Sequence, residues 1–176
     1  MPTLAAAPPM TLSPFRGPGT TIEEMRRAVT GLRGERSVLV RTFTEDVVRG
    51  LQPKDYLGEI LAIRYAAAEK CRYTNDPIST EWVKDPQRIV EEIQARGKAL
   101  VDCDDIATLI ATMARQVGRE AVFVTVGFGE PHHYSHVFAS VKEPKSSTWI
   151  VCDPVAGTTE ERMLSRVTTY KIWRID

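Results

Sequence analysis

Val101-Asp102-Cys103-Asp104-Asp105-Ile106-Ala107-Thr108-Leu109-Ile110-Ala111-Thr112-Met113-Ala114-Arg115-Gln116-Val117-Gly118 is the stretch on which the reading of this chain turns. Ile106, Leu109, Ile110, Met113 and Val117 recur at helical intervals and define one apolar face, and Gly118 stands where a left-handed residue ends a helix. Cys103 therefore falls in the first turn. Beyond Gly118 the texture changes. Ala121 to Phe128, His136 to Lys142, Thr148 to Cys152 and Arg166 to Trp173 are each rich in Val, Thr, Ile or aromatic residues and read as strands. Helices before and strands after predict an α+β domain in which the Cys103 helix packs on an antiparallel sheet.

Toward the N-terminus, Asp85-Pro86 gives a cap followed by a first-turn proline, and Ile89, Val90 and Ile93 carry a helix to Gly97. From Lys54 to Cys71, the positions Leu57, Ile60, Leu61, Tyr65 and Ala68 predict a helix lining the core. A further helix is read from about Thr44 to Gly50, with Val38-Leu39-Val40 before it equally suited to a strand. Thr21 and Glu24 have capping-box spacing ahead of Ile22, Met25, Ala28 and Val29, so another short helix begins there and ends near Gly34. Residues 1–19 hold five prolines and two glycines and read as a flexible Pro-rich arm, leaving 20–176 as one domain. Met113, Trp149 and Trp173 read as core, and no internal repeat is visible.

At 176 residues the chain suits one domain with its own core. Its 43% apolar and 26% charged residues fit an ordinary soluble protein. Twenty-three basic residues balance 23 acidic ones, so no net field favours nucleic acid or an anionic membrane surface as partner. No apolar run reaches the roughly 18 residues of a bilayer span, and the first ten residues lack the charged start and apolar middle of a secretory signal. Cys71, Cys103 and Cys152 are an odd count at no zinc-like spacing, which suits a reducing compartment and leaves at least one thiol free. The expectation is a cytoplasmic or virion-associated protein without membrane insertion, cofactor or resident metal.

The chemistry centres on three residues. A cysteine is nucleophilic as thiolate, and a helix N-terminus supplies oriented N–H groups and partial positive charge that favour that form. A nearby imidazole would take the thiol proton and a carboxylate would orient the imidazole. In His136-Val-Phe-Ala-Ser-Val the period of two puts His136, Phe138 and Ser140 on one face. Trp149, Val151 and Asp153 share a face of the next strand, and a hairpin through the polar turn Glu143 to Ser147 would set Asp153 beside His136.

The segments Val101-Asp102-Cys103-Asp104-Asp105, Ser135-His136-Val137-Phe138 and Trp149-Ile150-Val151-Cys152-Asp153-Pro154 together resemble the core of transglutaminase-like proteins of the papain-type cysteine enzymes. His136 follows Cys103 by 33 residues and Asp153 follows His136 by 17, intervals similar to those of compact bacterial members. The resemblance covers roughly residues 70–155. It implies Cys103 as nucleophile, His136 as base and Asp153 as orienting acid, in an enzyme that handles peptide or isopeptide bonds through a thioester. Its implied partner is a peptide or protein substrate. The Asp-Cys-Asp-Asp form is similar to small domains of tailed phages and prophages, which would add virion subunits as partners. Animal transglutaminases carry an aromatic residue after the cysteine where this chain has Asp104, so their calcium-dependent cross-linking is not implied.

Trp82 and the backbone N–H of Cys103 are candidate oxyanion donors, and Trp82, His133 and Tyr134 are candidates for the cleft rim. Two other readings are open on the sequence. One is a structural or adaptor protein that keeps the fold for binding, with residues 1–19 ordering on a partner. The other is a divalent-cation site on Asp102, Asp104 and Asp105 with His132 or His133.

Overall fold

In the computed structural model, residues 18–74, 82–154 and 160–176 are described. Five helices and two short strands precede the main sheet: α1 Pro18–Thr30, α2 Val38–Val48, α3 Tyr56–Lys70, β1 Cys71–Tyr73, α4 Pro86–Arg96, β2 Ala99–Val101 and α5 Cys103–Gln116. They are followed by β3 Ala121–Gly127, β4 His136–Lys142, β5 Trp149–Cys152, α6 Glu160–Leu164 and β6 Thr169–Arg174. Pro18 opens α1, where its missing N–H is no loss. The rest of the expected arm lies outside the described residues.

The main sheet has the order β5-β4-β3-β6, antiparallel throughout. Helix α5 packs against β3 and β4 on one side and against α1 to α4 on the other. That position explains its composition. Every residue from Asp104 to Ala114 is buried, and Ala107, Ala111 and Ala114 let neighbours approach closely. Val137, Ala139 and Val141 of β4, with Ala121 and Phe123 of β3, join this core from the sheet. On the opposite sheet face Val126, Phe138 and Met163 form a second, smaller cluster.

Several local expectations are met by the observed caps. Asp85 accepts from the Arg88 N–H at 2.9 Å, and Gly97 ends α4 with φ 78°. Gly118 has φ 77° just past α5, in the left-handed region that costs an L side chain most.

Other expectations are corrected. Val38-Leu39-Val40 is helical, because Ser37 caps α2 by accepting from the Val40 N–H and overrides the β-branched preference. The buried face of α3 is Ile60, Ile63 and Ala67, whereas Leu57 and Tyr65 are exposed. Cys71 caps the end of α3 as expected and also begins a strand that was not: β1 and β2 form a separate parallel ladder with Cys71 opposite Ala99 and Tyr73 opposite Val101. Trp149 lies outside the core at 40% exposure, its ring facing the Lys142 ammonium on the neighbouring strand. Met113 is fully buried, and Trp173 packs against the core while its Nε1–H donates to Thr125 Oγ1 at 2.9 Å. Among the described residues no helix is long and apolar enough to cross a membrane.

Candidate active site

Cys103 owes its position to Asp102. The Asp102 backbone is extended (φ −106°, ψ −163°) and its side chain accepts from the Asp105 N–H, which makes it the N-cap of α5 and Cys103 the first helical residue. Asp105 in turn accepts from the Lys84 N–H at 2.7 Å, anchoring the segment before α4 on the first turn of α5. The carboxylates of Asp102, Asp104 and Asp105 each place an oxygen within 4.8 Å of the others. Two of the three therefore already serve as acceptors for backbone N–H groups.

The Cys103 thiol is half-buried and not in a disulfide. Burial pushes it up to about 12, helped by the negative charge of Asp104 and then Asp102. Hydrogen bonds from the Val137 N–H and from its own backbone N–H work the other way and lose. The Val137 contact follows from the sheet register. β5 pairs with β4 only as far as Ala139 opposite Cys152, so the first residues of β4 run past the end of β5. The Val137 N–H there meets the sulfur at the head of α5.

The same early end of β5 brings Asp153 to His136. Glu143 holds the hairpin turn, accepting from the Lys145 and Ser146 N–H groups, while its own N–H donates to Thr148 O at 2.8 Å. Asp153, the first residue after β5 and 8% exposed, places Oδ2 2.6 Å from His136 Nε2. His136 is half-buried, and its ring centroid lies 6.3 Å from that of Phe138 on the same strand face. Thus the structure joins His136 to Asp153 directly, and Cys103 to the residue after His136.

The remaining sequence candidates are placed as follows. Trp82 is half-buried, two residues before the Lys84 anchor. His133 is exposed and Tyr134 half-buried in the segment entering β4. Tyr73 is a member of the cluster that sequence reasoning missed. Its phenol is pushed up to about 12 by burial and then by the negative charge of Cys103, Asp102, Asp104 and Asp153. The local signal was faint: a three-residue apolar-basic-aromatic stretch with strand propensity.

Comparisons with known proteins agree with this architecture. A family model for the transglutaminase-like superfamily matches residues 41–154, a span that begins well before the expected 70 and includes Cys103, His136 and Asp153. Among solved structures, a chain described as a "putative protease" from Parabacteroides distasonis aligns with TM-score 0.53 and 12% identity, over 77% of this chain and 27% of that one. A "putative cysteine protease" from Cytophaga hutchinsonii aligns with TM-score 0.48 and 14% identity, over 77% of this chain and 46% of that one. The chain thus spans about a quarter and just under half of their lengths. No curated protein matches.

Proposed function

The chain belongs to the transglutaminase-like superfamily, and on that footing we propose that it is a cysteine-dependent enzyme of amide bonds in peptide or protein substrates. Cys103 is the nucleophile, His136 the base and Asp153 the acid that orients it. The observation that carries this reading is the 2.6 Å contact of His136 Nε2 with Asp153 Oδ2, beside a cysteine at a helix head that receives the Val137 N–H. An ionised carboxylate can only accept, which puts a hydrogen on Nε2 and leaves Nδ1 as the ring's basic nitrogen.

With its thiol pushed to about 12, Cys103 rests protonated at neutral pH. Attack then has to be coupled to proton removal instead of drawing on a standing thiolate. His136 takes the proton as Sγ bonds to the carbonyl carbon, and the carbonyl π pair moves to oxygen. When the tetrahedral species collapses, the C–N bond breaks, and the departing amine takes the proton from His136. The thioester left on Cys103 is resolved by water or by a second amine, according to how far the closed cleft excludes water.

A second reading, a non-catalytic domain that retains the fold for binding, draws support from that same raised thiol. Iodoacetamide labelling of each cysteine as a function of pH, read by peptide mass spectrometry on the wild type and on His136→Ala, separates the two. In the catalytic reading Cys103 labels faster than Cys71 and Cys152 near neutral pH and loses the advantage without His136. Slow and equal labelling of all three thiols in both proteins would leave the binding reading standing.

A further inference from the structure

Strand β6 ends the main sheet, with β3 on one flank and, among the described residues, no strand on the other. The hydrogen bonds around it decide which of its backbone groups face outward. The Lys142 N–H donates to Glu120 O at 2.9 Å, so β3 turns its even-numbered residues to β4 and its odd-numbered ones to β6. Thr125 therefore bonds with its register partner Lys171, and its Oγ1 also donates to Lys171 O at 3.4 Å. By alternation, the N–H and C=O groups of Tyr170, Ile172 and Arg174 point away from the sheet. Arg174 O agrees: it accepts from Arg26 Nε of α1 at 2.6 Å, which leaves the second lone pair of the carbonyl.

The same edge carries apolar side chains in solvent. Tyr170 is 66% and Ile172 58% exposed, on the sheet face of their partners Val126 and Val124. A lysine on an edge strand ordinarily wards off a second strand, but the Lys171 ammonium is folded over the ring of Trp173, 3.8 Å from its centroid. The order of side chains then selects a partner. Tyr170-Lys171-Ile172-Trp173-Arg174 runs aromatic, cation, isoleucine, aromatic, cation. Laid antiparallel on itself about Ile172, this stretch sets every cation opposite an aromatic ring, Lys171 against Trp173 and Arg174 against Tyr170, with isoleucine on isoleucine. Cation-aromatic and apolar pairs of this kind stabilise neighbouring strands. Neighbouring registers lose the match. Centring on Lys171 sets lysine against lysine, and centring on Trp173 sets Lys171 against Ile175, which is buried and beyond the strand.

We propose that β6 is a self-association surface whose occupant is β6 of a second copy of this chain, paired antiparallel about a two-fold axis normal to the sheet through Ile172. The edge-facing groups of Tyr170, Ile172 and Arg174 in one copy meet those of Arg174, Ile172 and Tyr170 in the other, in about six hydrogen bonds. The two four-stranded sheets become one continuous sheet. The contact is isologous and uses up the edge that makes it, so association stops at the dimer. Nothing in the pairing depends on the chemistry of Cys103.

Sedimentation velocity on the full chain, over about two decades of concentration, is expected to show monomer giving way to dimer. Ile172→Lys sets two lysines opposite each other at the axis, at a position open to solvent in the monomer. It should hold the chain monomeric throughout, with the melting temperature of the dilute wild type. Cross-linking reads the register. Ile172→Cys places two thiols across the axis on Cα atoms about 5.5 Å apart, and mild oxidation should join them in a disulfide identified by peptide mass spectrometry. Tyr170→Cys lies about 14 Å along the strands from its counterpart and should not cross-link. A wild type that stays monomeric at every concentration overturns the proposal and leaves the edge to a different protein chain. So does a dimer that Ile172→Lys leaves intact, or one in which Tyr170→Cys cross-links as readily as Ile172→Cys.

Discussion

Asp104→Asn is the sharpest perturbation of the electrostatics around the cysteine. Asp104 is 3% exposed and adjacent to Cys103, and its charge is the second cause, after burial, that carries the thiol from an ordinary 9.0 to about 12. Because burial is the larger cause, removing the carboxylate lowers the thiol only part of the way back, and each pH unit of lowering is a tenfold gain in thiolate. A thiolate of lower pKa is also a weaker nucleophile, with a Brønsted slope of about 0.4–0.5, so the net gain in alkylation rate is about three- to fourfold for each such unit. The assay is the second-order rate of iodoacetamide labelling at pH 7.5, resolved by peptide. Cys71 is the internal control: its thiol is raised by burial and by Asp105, with Lys84 opposing, and Asp104 is not among the causes. Acceleration of Cys103 alone supports the electrostatic account. A Cys103 rate unchanged or lowered, in a variant of unaltered melting temperature, would refute it.

Three further outcomes follow from the geometry. Asp153→Ala removes the acceptor 2.6 Å from His136, and should slow acetylation of Cys103 by p-nitrophenyl acetate by up to about 10⁴-fold; a wild-type rate would deny Asp153 its orienting role. Cys71 and Cys103 both stand near 12 in the folded chain against an ordinary 9.0. Below pH 9 both states keep these protons and the stabilisation is whole. Between 9 and 12 only the folded state keeps them, so urea titrations should show stability falling with pH by about 1.4 kcal/mol per unit for each thiol, and by less in Cys71→Ala. A flat profile would contradict this. Ser37→Ala removes the α2 cap and the Oγ–H bond to Gln87 Oε1 at 3.0 Å at a site 4% exposed, and should cost about 1–2 kcal/mol in chemical denaturation.

The parts of the fold visible in the sequence are those with strong local signals. Asp102 before a long apolar face marks the head of α5, Asp85-Pro86 and Gly97 bracket α4, and the alternation after His136 fixes β4 to the residue. The pairing of His136 with Asp153 was legible for the same reason: two strands and a polar turn leave little freedom of register. What escaped was decided by tertiary contact. Three residues are too few for a period, so Cys71–Tyr73 and Ala99–Val101 carry no pattern until they lie side by side. In Ala-rich α3 several faces could be inward, and packing against its neighbours selected Ile60, Ile63 and Ala67. Tyr73 gained its place in the cluster only through the missed ladder.

Most helices keep an outer side on which substitution is cheap, and sequence variants accumulate there every three or four positions. Helix α5 has no such side from Asp104 to Ala114, since it is enclosed by helices and sheet alike. In a saturation mutagenesis library its tolerance profile should therefore be a continuous trough without helical ripple, with bulky replacements at Ala107, Ala111 and Ala114 suffering from overpacking and truncations at Leu109, Ile110 and Met113 from voids. The helix that presents the cysteine is thus the segment with the least room for neutral drift, whatever selection acts on the chemistry at its head.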